Sequence, residues 1–306
     1  MSILSHSLKL FRKGKVRDVY DLGEELLIVA SDRVSAYDVV LPDLIPRKGE
    51  SLTGLSEFWF TKTRHIIPNH FLERVDDRSL RVAKAKRVDI EWVVRSHLYG
   101  SMWRAYSAGK RVFGDVALRN NLRMAEELPQ ILLTPTTKSE VGHDLDTTKE
   151  EAIGRGLLSE EDWRILEEAS FRLYEFYRDE AKKKGIVVPD FKVEYGKHQD
   201  TLIQIDEPPT HDSARLWDKK HFKTGEPQET HALDKEFLRT FLREHYRFTG
   251  EGAAPRLPMV VIEEVSKRCV GAYEVLKGKT LIENLRLKSL DEVLRELRGE
   301  ARSQKI

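Results

Sequence analysis

The chain of 306 residues contains a single cysteine, Cys269. It can therefore form neither an internal disulfide nor a cysteine-based zinc cluster, and this favours a reducing compartment. No apolar run approaches the roughly 20 residues that span a bilayer, and the first residues lack the apolar core of a secretion signal. We therefore expect a cytoplasmic protein without a membrane partner.

The charge balance excludes a strong electrostatic field of either sign. Lysine and arginine number 52 against 51 aspartates and glutamates, so nucleic acid is not an expected partner, and no obligatory protein partner is evident. The sequence also lacks a Walker A loop, a G-x-G-x-x-G fingerprint and a G-x-S-x-G elbow. These absences argue against the common nucleotide-binding loops and against covalent hydrolases.

The order of predicted elements indicates an α+β protein in two lobes. Strand patterns come first and helical patterns last, so we divide the chain into a β-rich lobe at 1–92 and a larger α/β lobe at 93–306. The predicted strands cover 15–21, 25–30, 82–89 and 90–95, and residues 132–142 are predicted as a loop. The predicted helices cover 52–64, 99–108, 160–184, 234–245, 258–276 and 289–298.

The most informative segment is a pair of strands that carry charge. In 191–195 apolar and charged residues alternate, which places Lys192 and Glu194 on one face of the strand. The apolar run 202–205 ends at Asp206, and carboxylates beside a lysine are what Mg²⁺ and phosphate require. The alternative is a solvated outer face of an antiparallel sheet.

Two further segments carry cations next to glycine. Gly14, Lys15 and Arg17 form a basic hairpin that could fold over a triphosphate, although an ordinary surface turn is equally compatible with it. Arg95 ends an apolar strand, and Gly100 with Ser101 then opens a helix that could offer N–H groups to a phosphate. The alternative for this arginine is a structural carboxylate partner.

His143 beside Asp144 invites a metal interpretation. No second histidine lies at ligand spacing from this pair, so we do not expect zinc there.

These segments, in this order, resemble one family: phosphoribosylaminoimidazole-succinocarboxamide synthase, or SAICAR synthetase. The resemblance covers most of the chain, and it departs from the family pattern at 142–148 and 208–211. The strings that carry it are GKVRDVYD, SDRVSAYDVVLP, VVRSHLYGSMW, PTTKSEVGHD, DFKVEYG, IDEPPTHDSARLWD and QETHALDKEFLRTFL.

The resemblance implies an ATP-dependent ligase of purine biosynthesis with ATP bound between the two lobes. The carboxylate of 5-amino-1-(5-phosphoribosyl)imidazole-4-carboxylate (CAIR) would attack the γ-phosphate of ATP, and L-aspartate would then displace phosphate from the acyl phosphate. A small-molecule kinase of the inositol-phosphate type is the alternative, and it would need no aspartate.

The same resemblance implies a role for each matching residue. Lys13, Gly14, Lys15 and Arg17 would contact ATP phosphates together with Lys192, and Glu194 and Asp206 would hold Mg²⁺. The ribotide would bind to Asp38, Arg95, Ser101, Asp190 and Arg215. The expected catalytic set is Lys192, Asp212 and Arg215.

Overall fold

The structure is a computed structural model that describes residues 8–137, 145–206 and 208–303. His143, Asp144 and residues 138–142 of the predicted loop 132–142 lie outside the described residues. Within the described part of the chain, no helix combines the length and apolarity needed to cross a bilayer.

The elements of the first half run from the basic hairpin to a short helix. They are β1 (Lys9–Lys13), β2 (Arg17–Asp21), β3 (Glu25–Ala30), β4 (Arg33–Ala36), β5 (Val39–Leu44), α1 (Lys48–Thr63), β6 (Phe71–Arg74), β7 (Ser79–Ala83), β8 (Lys86–His97), α2 (Gly100–Ser107), β9 (Val112–Phe113), β10 (Val116–Ala117), β11 (Glu127–Leu133), β12 (Thr136–Thr137), β13 (Leu145–Asp146) and α3 (Lys149–Gly154).

The elements of the second half begin with the longest helix. They are α4 (Glu160–Lys182), β14 (Ile186–Val187), β15 (Asp190–His198), β16 (Thr201–Ile205), β17 (Trp217–Asp218), a 3-10 turn at Glu229–His231, α5 (Glu236–His245), α6 (Met259–Leu276), a second 3-10 turn at Ile282–Asn284 and α7 (Leu290–Ser303).

The first sheet is antiparallel, with strand order β1-β2-β3-β7-β6. Its inner face packs on α1 through a small apolar cluster that includes Phe60, Leu80 and Val82. The predicted strands 15–21 and 25–30 are confirmed, and the turn between them closes through a hydrogen bond from Leu22 N to the Glu25 carbonyl. This sheet carries the basic hairpin at the β1–β2 turn.

The second sheet has the order β13-β12-β8-β15-β16, and β11 also pairs with β8. The predicted break between strands 82–89 and 90–95 is wrong, because β8 runs unbroken from Lys86 to His97. Asp89 does not end the strand, because its side chain points to solvent and does not interrupt the hydrogen bonds between the backbones of neighbouring strands. The predicted lobe boundary at residue 92 falls inside β8, and the division into lobes stays a prediction.

The main core lies between the second sheet and α4. Phe191, Val193 and Tyr195 on β15 are buried together with Trp163 and Tyr177 of the helix. The predicted N-cap of α4 is confirmed, since the Ser159 hydroxyl accepts the N–H of residue 162 at 3.0 Å. Because this face of β15 is filled by apolar side chains, its charged residues project from the opposite face.

A second apolar cluster joins the β4–β5 hairpin to the late helices α5, α6 and α7. These helices fulfil the predictions at 234–245, 258–276 and 289–298 to within a few residues at each end, apart from the longer C-terminal end of α7. Antiparallel sheets with separate helices give the α+β class that the sequence predicted.

Candidate functional site

One face of the β8–β15 pair carries a row of charged side chains. Asp190, Lys192 and Glu194 alternate along β15, and they lie opposite Arg95, Val93 and Glu91 of β8, respectively. Asp190 is 5% exposed, Glu194 is 4% exposed and Glu91 is 6% exposed, so this is not a solvated outer face. The two ends of the row are four residues apart along the strand, or about 13 Å.

Lys192 lies at the acidic end of this row. Its Nζ donates to Glu91 Oε1 at 2.8 Å. Burial disfavours the charged ammonium, but the carboxylates of Glu91, Glu194 and Asp206 outweigh that effect and raise the pKa of Lys192 above its ordinary value. The lysine is therefore a permanent cation, suited to phosphate oxygens and unsuited to acting as a base.

The basic hairpin meets this acidic end. Arg17 on β2 forms an ion pair with Asp206, which directly follows β16. Lys15 Nζ lies 2.6 Å from Asp38 Oδ1, and Asp38 occupies the left-handed turn of the β4–β5 hairpin. The structure therefore brings Arg17, Lys192, Glu194 and Asp206 together, and it places Lys15 beside Asp38. The roles of these residues stay predictions.

A residue that the sequence reasoning missed holds the hairpin in shape. Arg33 donates to both carboxylate oxygens of Asp18, at 3.0 and 2.7 Å. The same guanidinium donates to the carbonyls of Gly14 and Lys15, at 3.2 and 3.1 Å. A Cβ on Gly14 would lie 2.7 Å from the carbonyl oxygen of Arg17, so glycine is required at this turn.

The other end of the row is built around Asp190. Its Oδ2 accepts from Arg215 Nη1 at 2.6 Å and from Arg95 Nη1 at 3.5 Å. Arg95 also donates to the hydroxyls of Thr134 and Ser101, at 2.9 and 3.4 Å. The structural carboxylate partner that the sequence left open for Arg95 is therefore present, and two arginines share it. Arg215 has a second carboxylate neighbour, Glu236 at 3.7 Å. Each guanidinium carries five N–H donors, so this end can still bind an anion.

Gly100, the first residue of α2, lies against the guanidinium of Arg215. Its φ of +60° lies in the left-handed region, and an added Cβ would approach Arg215 Nη2 to 2.2 Å. The guanidinium of Arg215 also lies 5.3 Å from the ring centroid of Tyr99. Glycine and tyrosine therefore fix the position of Arg215 from two sides.

A cavity of about 400 Å³ opens beside Arg95 and Ser101. Its size suits a small polar substrate. Its polar lining includes Arg95, Ser101, Lys110, Thr134, Asp146 and Thr148.

The Asp212 side chain is 2% exposed, and two lysines lie beside it. Its Oδ2 accepts from Lys48 Nζ at 2.6 Å, and its Oδ1 lies 3.4 Å from Lys235 Nζ. Burial raises the pKa of this carboxyl, but the two lysines outweigh burial and hold it well below its usual range. Sequence reasoning did not identify Lys48. The catalytic role of Asp212 stays a prediction.

Comparison with known proteins identifies the family. A family model described as SAICAR synthetase matches residues 10–254. The chain belongs to the SAICAR synthetase family. This match covers the hairpin, the charged face of β8 and β15, and both arginines of the opposite end.

Curated relatives extend the likeness to nearly the whole chain. The phosphoribosylaminoimidazole-succinocarboxamide synthase of Thermodesulfovibrio yellowstonii is 38% identical over 284 residues, covering 88% of this chain and 95% of the relative. The enzyme of the same name from Geotalea uraniireducens is also 38% identical, covering 89% and 95%.

A solved structure shows the same fold. The SAICAR synthase of Saccharomyces cerevisiae, complexed with SAICAR, superposes with a TM-score of 0.79 at 32% identity, covering 91% of this chain and 97% of that one. The predicted family and ATP-dependent ligase function in purine biosynthesis are therefore confirmed. The kinase alternative is not favoured.

Proposed function

We propose that the charged row divides the substrates between its two ends. The acidic end, with Lys192, Glu194 and Asp206, receives the phosphates of ATP beneath the basic hairpin. The end with Arg95 and Arg215 binds the 5′-phosphate of CAIR. The observation that supports this division most directly is the register of β8 against β15, which puts both ends on one face about 13 Å apart.

This separation suits the reaction. A ribotide anchored by its phosphate near Arg95 and Ser101 can extend its imidazole carboxylate along the row toward Lys192. The carboxylate attacks the γ-phosphate, ADP leaves, and the amine of L-aspartate attacks the acyl phosphate and expels phosphate. Each step concentrates negative charge on phosphoryl oxygens, so fixed cations stabilise it without a protein nucleophile.

The residues present also suit Mg²⁺. Glu194 and Asp206 offer carboxylate oxygens, the ligands that Mg²⁺ prefers, and Glu194 lies directly opposite Glu91 across the ladder. Two facing carboxylates repel each other unless cations compensate them, and Lys192 and Arg17 supply two positive charges for Glu91, Glu194 and Asp206. When bound, Mg²⁺ would neutralise phosphate charge at this end.

Solved relatives support the binding of nucleotide and ribotide. One SAICAR synthetase structure is a complex with ADP, and the yeast structure contains SAICAR. The remaining expectations stay predictions: the cytoplasmic location, the absence of nucleic-acid partners, the contact of Asp38 with substrate and the catalytic role of Asp212.

A coupled assay separates the ligase from a kinase. The protein is incubated with ATP, Mg²⁺ and CAIR, with and without L-aspartate, and phosphate, ADP and the succinyl amide are measured. We expect the amide to form only with aspartate present. ADP formation with a stable phosphorylated product and no aspartate requirement would refute the ligase function.

The metal role is tested by two charge-removing variants. Glu194→Gln and Asp206→Asn should each reduce kcat by about 10²-fold or more, the usual effect of losing one preorganised electrostatic group. Asp89→Asn changes an exposed carboxylate on β8 and serves as the matched control. Turnover of both site variants near that of Asp89→Asn at saturating Mg²⁺ would refute the metal assignment.

A further inference from the structure

A second group of potential metal ligands lies outside the substrate row. Asp218, His221 and His231 each offer a ligand atom, and these atoms lie within 4.8 Å of one another. His221 Nδ1 lies 2.6 Å from Asp218 Oδ2, and the two imidazole rings stack at 3.9 Å between centroids. The three side chains therefore converge on one point of the surface.

The backbone already holds two of these ligands side by side. Trp217 and Ala232 form an antiparallel bridge, so the next residue of one segment, Asp218, faces the preceding residue of the other, His231. His221 returns to the same place through a turn in which its N–H donates to the Asp218 carbonyl at 3.2 Å. No large movement of the main chain is needed to bring the ligands together.

A buried arginine fixes the turn that carries His231. Arg268 is 1% exposed, and it donates to the carbonyls of Glu229, Thr230 and Ala232 at 3.3, 3.0 and 2.6 Å. A ligand whose backbone is held this rigidly loses little conformational entropy on binding a metal. Asp218 is fixed as well, since its second oxygen accepts the N–H of Lys220 at 2.9 Å.

The chemistry of the three groups selects the metal. Two imidazoles with one carboxylate suit Zn²⁺ and neighbouring first-row transition ions, whereas Mg²⁺ prefers oxygen ligands alone. His221 is exposed, so its imidazole has room to rotate toward a shared ion.

We propose that Asp218, His221 and His231 form a structural site for a zinc-class divalent ion. The ion would tie the turn after β17 to the 3-10 turn at Glu229–His231. The sequence expectation against zinc concerned His143 alone. The sequence pattern that could have indicated the site is the Asp-x-x-His spacing at 218–221. The third ligand, His231, lies next to it only in the folded chain.

The test is calorimetric titration of Zn²⁺ into tag-free, chelator-treated protein without nucleotide. Excess Mg²⁺ is present throughout to occupy the Glu194–Asp206 carboxylates. The variants are His231→Gln and His221→Gln, and the control is His65→Gln, which alters an exposed histidine elsewhere.

We expect wild type and the control to bind about one Zn²⁺ per chain. Each site variant should bind at least about 100-fold more weakly, since even residues behind the ligands affect affinity by 10- to 100-fold. Zinc should also raise the unfolding temperature of wild type and leave that of the two variants unchanged. Equal affinity in wild type and both variants, or no binding by wild type, would overturn the proposal.

If His231→Gln fails to fold, His221→Gln still tests the site, because His221 is the more exposed of the two histidines. A crystal soaked in Zn²⁺ gives a second measurement. Anomalous density between the three side chains supports the site, and density only at other positions contradicts it.

Discussion

Removing the charge of Asp212 should lower the free energy of unfolding by more than the loss of a surface ion pair does. The Lys48 side chain is 0% exposed and that of Asp212 is 2% exposed, with 2.6 Å between Nζ and Oδ2. Asp212→Asn keeps the shape and leaves a buried ammonium without its anion. Breaking a buried pair in this way typically costs 3–5 kcal/mol. Since the amide oxygen can still accept one hydrogen bond, we expect about 3 kcal/mol of lost unfolding free energy.

Urea denaturation at neutral pH measures this loss. Glu180→Gln is the matched control, because Glu180, like Asp212, pairs with two lysines, Lys62 and Lys183, but its side chain and theirs are partly exposed. That control should lose less than about 1 kcal/mol. Adding Lys48→Met to Asp212→Asn should recover stability, because the uncompensated ammonium is removed as well.

The pH dependence gives an independent check. The pKa of Asp212 in the folded protein lies well below the ordinary value of 3.8, so its stabilising contribution is complete above pH 3.8. It is lost as the pH falls through the lower folded pKa, and the gap between wild type and Asp212→Asn should narrow below pH 3.8. An Asp212→Asn loss no larger than that of Glu180→Gln, or a gap that widens in acid, would refute this reasoning.

Further predictions concern the substrate row. Gly100→Ala should raise KM for CAIR by about 10-fold or more with little change for ATP, because its Cβ would displace Arg215. Gly156→Ala imposes a similar left-handed strain in open space, since the φ of Gly156 is +70°, and an equal KM change there would contradict displacement as the cause. Glu91→Gln should lower kcat by about 10²-fold while binding of CAIR persists, since Lys192 loses its nearest carboxylate. Unchanged kcat would show that Glu91 does not position Lys192.

Local patterns predicted much of the fold and of the substrate row. The N-cap and periodicity of α4 identify the helix, because both signals lie within a few residues. The alternation along β15 identified the charged face for the same reason. Lys48 was missed because its partner lies 164 residues away, and in the sequence it resembles any lysine at the start of a helix. Contacts at such separation depend on topology, which a single sequence does not specify.

Glu91 was a different kind of omission. It stands between Ile90 and Trp92, both 0% exposed, and a carboxylate in such a strand is costly to bury without a partner. The signal was therefore present, but the strand was predicted to begin at residue 90, which concealed its continuity with Asp89. An unbroken β8 makes both acids members of one alternating face.

Under the proposed assignment, the ion pair between Arg17 and Asp206 makes nucleotide and metal binding interdependent. In the free protein each charge is already partly neutralised by the other, so a lone nucleotide must compete with Asp206 and a lone metal must compete with Arg17. When the two ligands bind together, two external ion pairs replace the internal pair, and the metal offsets part of the negative charge of the nucleotide. Their affinities should therefore rise by a common factor in each other's presence, as linkage requires.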